Sequence, residues 1–229
     1  MYLEIKDVTK VIDKEMVLNH INLSMEKGKI YGLKGKNGSG KTMIMRAICG
    51  LIRLSAGEIV ISGELLGKNQ DFPPSVGALI ENPGFINNYS GYQNLKVLAD
   101  IQGRIGKERI NEVMDQVGLD SADKKKFKKY SLGMKQKLGI AAAIMENPEL
   151  IILDEPTNAL DELSIKKLRD ILGEHKKRGA LILLSSHDIE EIQFLSDEIY
   201  IVENGEIKDH YVTTTNNQSD EQKRKNKYE

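Results

Sequence analysis

The sequence predicts an α/β fold: a mixed, mainly parallel core sheet, an N-terminal antiparallel β layer and an inserted α-helical subdomain. Three patterns carry that expectation. Near the N-terminus, Leu3 and Ile5, then Ile21, Leu23 and Met25, alternate with polar residues, as half-buried antiparallel strands do. In the middle, Ile110, Val113, Met114 and Val117 recur at helical spacing. From Leu150 onward, short apolar runs alternate with amphipathic stretches, the mark of βαβ units whose strands are buried on both faces.

Taken in chain order, Glu26-Lys27-Gly28-Lys29 supplies a turn before the strand Ile30-Tyr31-Gly32-Leu33. A glycine-rich loop follows, and residues 43–49 read as a helix closed by Gly50. Glu58-Ile59-Val60-Ile61-Ser62-Gly63 reads as a strand and turn. Leu95, Leu98 and Ile101 outline a loose helix, and the helix of Ile110 ends at Gly118. Strand 150–153, helix 164–172, strand 180–184, helix 189–195 and strand 199–202 then alternate. Four segments result: 1–85, the β layer with the first half of the core; 86–147, the helical subdomain; 148–212, the second half of the core; and 213–229, a flexible polar tail.

Composition narrows the function. The chain has 229 residues, enough for a substantial core, and its 33 basic residues nearly cancel its 34 acidic ones. No global field draws it to nucleic acid, and none is expected as a partner. One cysteine, Cys49, forms no intrachain disulfide, and four histidines beside it offer little for a zinc cluster, which points to a reducing compartment. The longest apolar stretches, 140–145, 150–153 and 180–184, fall short of the roughly 18 residues of a membrane span. The N-terminus lacks the basic and apolar regions of a signal peptide, so a cytoplasmic location is expected.

Two motifs carry chemistry. Gly35-Lys36-Asn37-Gly38-Ser39-Gly40-Lys41-Thr42 fits the P-loop pattern and stands between a strand and a helix. Its glycines let backbone N–H groups turn toward a polyphosphate, Lys41 reaches the β and γ phosphates, and Thr42 ligates Mg²⁺. The second motif, Leu150-Ile151-Ile152-Leu153-Asp154-Glu155, ends a buried strand with two carboxylates at the edge of the sheet where α/β folds bind ligands. Asp154 suits a partner of Mg²⁺, and Glu155 is placed to orient and deprotonate a water.

The chain resembles the ATP-binding subunits of ABC transporters, over essentially residues 1 to 210. Tyr130-Ser131-Leu132-Gly133-Met134-Lys135-Gln136-Lys137-Leu138 stands where that family has its signature, Pro156-Thr157-Asn158-Ala159-Leu160-Asp161 resembles its D-loop, and Ser185-Ser186-His187-Asp188 its switch histidine. The resemblance implies two copies with two ATP molecules between them, Ser131 and Gly133 of one copy meeting the γ-phosphate held by Lys41 of the other. It also assigns His187 to the γ-phosphate. Read alone, Ser131 is an ordinary helix N-cap and His187 a surface histidine.

Four places depart from the family pattern or stand open. No Phe, Tyr or Trp occurs from residue 3 to 30, and Ile12 holds the position where the family stacks an aromatic on adenine. Val11, Ile12 and Val17 either shield the base, without a stacking contribution of roughly 1 kcal/mol, or pack the β layer. Glu81 stands where the family has a glutamine that contacts Mg²⁺, either as a ligand or as a solvated turn residue. This change and the Tyr-Ser-Leu-Gly-Met-Lys-Gln signature resemble the bacitracin-resistance and lantibiotic-immunity exporters. Lys124-Lys125-Lys126-Phe127-Lys128-Lys129 invites a nucleic-acid or lipid reading but, six residues with one aromatic being a small footprint, reads as a solvated run, while Phe85, Ile86 and Tyr89 either dock a membrane subunit or pack the helical subdomain.

The resemblance therefore implies a Mg²⁺-dependent ATPase subunit, peripheral on the inner face of the membrane, that drives a separate permease. A non-transport ABC ATPase and a nucleotide-binding regulatory subunit are the rival readings. The first usually carries tandem ATPase units, a coiled coil or zinc modules, none of which the sequence displays.

Overall fold

The computed structural model describes residues 1–81 and 84–213, and the tail expected from 213 lies, from residue 214 on, outside the described residues. Two sheets organise the chain. The first is antiparallel and contains β1 (Leu3–Ile12), β2 (Glu15–Met25), β4 (Ala56–Ile61) and β5 (Glu64–Leu65) in the order β2-β1-β4-β5. The second contains β3 (Ile30–Lys34), β6 (Val76–Leu79), β7 (Leu150–Leu153), β8 (Leu181–Ser186), β9 (Glu198–Glu203) and β10 (Glu206–Val212) in the order β10-β9-β3-β8-β7-β6. Only β10 runs antiparallel to its neighbour there. The expected mixed core sheet and antiparallel layer are both present.

Period-two alternation makes the second sheet a wall between two hydrophobic cores. Leu150, Ile152, Leu181, Leu183, Leu33 and Val202 face one side, where the antiparallel layer and α1 (Lys41–Ile48) cover them. Ile151, Leu153, Ile182, Leu184 and Ile199 face the other. That side is covered by α4 (Leu132–Ile144), α5 (Glu162–Lys177) and α6 (Ile189–Leu195), while α2 (Gly91–Gln102) and α3 (Lys107–Gln116) extend the same core by packing on α4. Every residue of β7 and β8 is buried, as the apolar runs 150–153 and 181–184 require of central parallel strands, and β8 ends in the buried Ser185 and Ser186.

The helical insertion enters between β6 and β7 and is anchored by α4. A Cβ at Gly77 of β6 would lie 1.7 Å from the Ala143 carbonyl oxygen of α4, so glycine is what lets helix and strand touch. Before α2, Ser90 and Gln93 form a reciprocal capping box, which satisfies backbone donors that the helix start leaves open. A single 3-10 turn, Phe127–Lys129, precedes α4 and buries Phe127 beneath an exposed lysine run.

Several boundaries differ from the sequence expectation. The helix read as 164–172 runs as Glu162–Lys177, because Asp161 caps its start and accepts from the Ser164 N–H, while basic residues in the last turn suit the negative end of the helix dipole. Strand β10 was not anticipated. It follows an Asn204-Gly205 turn with positive φ at both residues, the chemistry of a tight hairpin, but its mostly exposed residues give no apolar alternation.

Candidate nucleotide site

The C-terminal ends of β3, β8 and β7 lie side by side, since Lys34 pairs with Ser186 and Leu153 with Leu184. This brings together the loop after β3, the carboxylates after β7 and the serines and histidine at the end of β8. An open cleft of about 540 Å³ results, lined by Glu15, Met16, Val17, Asn37 to Met43, Glu155, Asn204 and Gly205.

The P-loop is tightly built. A Cβ at Gly35 would meet the Val202 carbonyl at 2.3 Å and Ser39 Oγ at 2.4 Å, so this turn admits glycine alone. Helix α1 starts at Lys41 with Gly40 in the left-handed region (φ 109), no side-chain cap and no acidic residue in its first turn. Its N-terminal amides therefore face the cleft without a protein anion. Ser39 Oγ is buried and without a hydrogen-bond partner. An unanswered polar atom and an uncapped helix start are what an anionic ligand would satisfy.

Lys41 is only 6% exposed. Its Nζ donates to the carbonyl oxygens of Gly35 (2.7 Å) and Lys36 (3.2 Å) and stands 3.6 Å from Glu155 Oε1. Opposite, Thr42 Oγ1 donates to Asp154 Oδ2 at 2.7 Å, and Ser185 Oγ donates to Asp154 Oδ1 at 2.6 Å. Asp154 is thereby held by a hydroxyl on each oxygen.

Glu155 has a left-handed backbone (φ 48), a conformation that costs a non-glycine residue about 1–2 kcal/mol. The Ser185 hydroxyl accepts from its N–H (2.9 Å), and its carbonyl accepts from the Asn158 N–H (3.2 Å) and from Gln136 Nε2 (3.1 Å). His187 Nδ1 lies 2.9 Å from Glu155 Oε2. The other oxygen, Oε1, is buried with no hydrogen-bond partner and lies beside the Lys41 ammonium. A carboxylate with one oxygen anchored and one free, on the wall of an open cleft, is arranged to accept a proton from water.

The remaining candidates fall into two groups. Gly35 to Thr42, Val17, Asp154 and Glu155 gather at or against the cleft, with His187 behind Glu155. Ile12, Glu81, Ser131 and Gly133 are not among its lining residues. Ile12 pairs with Glu15 at the end of the β1–β2 hairpin, and Val17 reaches the cleft with Met16 and Glu15. Glu81 has φ 57, and its Oε2 pairs with Arg46 Nη2 at 2.8 Å. Ser131 caps α4 by accepting from the Met134 N–H, while Gly133 abuts the Ala159 carbonyl. Phe85 packs edge-on against Phe127, whereas Ile86 and Tyr89 are exposed.

Sequence reasoning gave no role to Ser185, Gln136, Arg46, Met16 or Asn204. Ser185 and Gln136 stand inside quoted motifs, so proximity to those motifs was the available signal. Arg46 meets Glu81, and Asn204 reaches the cleft, only through the fold.

A phosphate-binding loop at the edge of a parallel sheet, faced by a carboxylate pair, defines a P-loop nucleotide-binding domain. The ABC transporter family model matches residues 18–158. The ABC transporter ATP-binding protein YybJ of Bacillus subtilis (strain 168) is 45% identical over 206 residues, 90% of this chain and 94% of that protein. The lantibiotic transport ATP-binding protein SrtF of Streptococcus pyogenes is 38% identical, with 90% and 88% covered. The bacitracin transport ATP-binding protein BcrA of Enterococcus faecalis is 42% identical, with 90% and 67% covered. A solved ATP-binding subunit of an ABC transporter superposes with a TM-score of 0.83 at 27% identity, over 99% of this chain and 94% of that one. The chain belongs to the ABC transporter family, as one of its ATP-binding subunits.

Proposed function

We propose that this chain binds and hydrolyses ATP to drive a separate membrane permease that exports a peptide antibiotic of the bacitracin or lantibiotic type. The observation that carries the catalytic part is the Glu155 carboxylate, anchored through Oε2 near His187 and free at Oε1 beside Lys41. In this reading the amides of residues 35 to 42 bind the phosphates and Lys41 leaves its carbonyl partners for the β and γ groups. Water attacks the γ-phosphorus, the bond to the bridging oxygen of ADP breaks, and Glu155 takes the proton of the water. His187 holds the carboxylate and, in the closed state, meets the γ-phosphate. The hydroxyl of Thr42 and the carboxylate of Asp154 form an oxygen set suited to Mg²⁺, which supplies charge neutralisation on the phosphate oxygens when bound. Glu81 joins that set only by exchanging Arg46 for the ion.

The cargo rests on the names of the bacitracin and lantibiotic relatives. A second copy is part of the proposal, because Ser131 and Gly133 lie outside the cleft of their own chain and are free to serve another. One solved neighbour, 23% identical with a TM-score of 0.82, is described as a dimeric bacterial ABC transporter cassette and supports the fold of such an assembly. Among the described residues no helix is long and apolar enough to cross a membrane, so the proposed position on the inner face of the membrane depends on the permease. Exposed Ile86 and Tyr89 are the surface offered to it.

Replacing Glu155 with Gln tests the reading. Turnover should fall by about 10²-fold or more, while ATP binding and ATP-dependent dimerisation persist. Undiminished hydrolysis by that variant would remove Glu155 from its role.

A further inference from the structure

The helix that begins with the signature, α4, reaches back to the base of its own chain. Gln136, one turn into that helix, donates from Nε2 to the Glu155 carbonyl at 3.1 Å. The other hydrogen bonds of the Glu155 backbone are local or belong to the core: the Asn158 N–H donates to the Glu155 carbonyl and closes the turn, and the Glu155 N–H donates to Ser185 Oγ at the end of β8. Gln136 brings the contact from the helical insertion. Nearby, Gly133 of the same helix abuts the carbonyl of Ala159, which also has a positive φ (60°). Two residues of α4 thus bear on a segment that holds two left-handed non-glycine residues, a backbone that persists only where its surroundings over-determine it.

We infer that Gln136 is a positioning residue, one that ties the signature helix of each copy to the general base of the same copy. The inference rests on the proposed roles of Glu155 and of the two-copy assembly. Ser131 and Gly133 of a given copy then face the nucleotide of its partner, while Gln136 holds that copy's own Glu155. Engagement of one nucleotide sets the tilt of α4, and α4 sets the peptide plane that aims the carboxylate at the other nucleotide. The two sites become cooperative through a single side-chain amide.

The test is steady-state ATP hydrolysis by the full chain as a function of ATP concentration, with the melting temperature measured alongside. The wild-type curve should be sigmoidal. Gln136→Met keeps the length of the side chain and removes the donor; kcat should fall about tenfold, the cost of one hydrogen bond expressed only in the closed state, with KM little changed and the Hill coefficient moving toward unity. Gln136→Lys restores an N–H donor and should recover most of kcat and of the cooperativity. Gln136→Glu sets an acceptor against a carbonyl and should be slower than either. Melting temperatures should stay close to wild type throughout.

A hyperbolic wild-type curve, or a Met variant with wild-type kcat and Hill coefficient, would overturn the inference. So would a Lys variant no better than Met, since packing alone would then explain the loss. Should the Met variant fail to fold, the Lys and Glu variants decide, and equal rates for the two overturn the tie. Glu155→Gln run in parallel separates the two levels: full activity there removes the general base itself, whereas an inactive Glu155→Gln beside a fully active Gln136→Met removes only the connection.

Discussion

His175 is the residue whose surroundings most disturb its chemistry in a way that solution pH can read. It is buried in the last turn of α5, and desolvation first, then the charges of Arg178 and Arg109, push its imidazole down to about 4 from the usual 6.5. Between those values the unfolded chain binds a proton that the folded chain refuses. This contribution to stability is therefore complete above pH 6.5, declines as pH falls, and is gone below about 4. Its size is on the order of 3 kcal/mol. Urea denaturation from pH 7 to 4 should show the decline, and His175→Gln should flatten it; an unchanged slope in the variant would contradict the assignment. Nothing in the sequence announced this residue, because its burial comes from helix packing and, of its two cationic neighbours, Arg178 caps the same helix while Arg109 is brought in from α3. Glu155 was legible for the opposite reason: a wholly apolar strand ending in two carboxylates carries its meaning locally.

At the scale of elements, the contact between β6 and α4 is the one that admits least change. The backbone of Gly77 runs so close to Ala143 that any side chain must push the helix off the sheet. Gly77→Ala should destabilise the chain by about 1–3 kcal/mol in chemical denaturation, as overpacking does, and a neutral effect would mean that α4 moves freely on the sheet. Strands β7 and β8 were read almost to their ends, since buried runs bounded by polar turns leave little choice. Helix α5 was read too short because Gly173 and the polar residues around it mask a periodicity that His175 continues. Edge strand β10 was unreadable from alternation, its pairing with β9 being fixed by the Asn204-Gly205 hairpin and not by burial.

For the whole molecule, the sheet divides two cores and gathers the site at one edge, and this arrangement followed from the order of motifs along the sequence. The end of the cleft proposed for the base, lined by Glu15, Met16 and Val17, did not. Among the described residues its lining contains no aromatic ring; Met16 and Val17 offer an aliphatic and thioether surface with Glu15 beside it. Such a surface shields a purine without the added term of ring stacking, roughly 1 kcal/mol. GTP should accordingly compete with ATP to within about tenfold in a displacement assay, and a much stronger preference for ATP would point to a recognition element outside this surface.

Lys41 offers a final consequence. Its ammonium is met by two loop carbonyls and a neighbouring carboxylate. In the role proposed for Lys41, binding of triphosphate is thus an exchange of partners, and part of its gross attraction is spent on displacing the residents. The same residents stand ready to recapture the ammonium once the terminal phosphate has gone. On that reading departure of the spent diphosphate is assisted from within, and the loop that grips the fuel also helps to eject its ash.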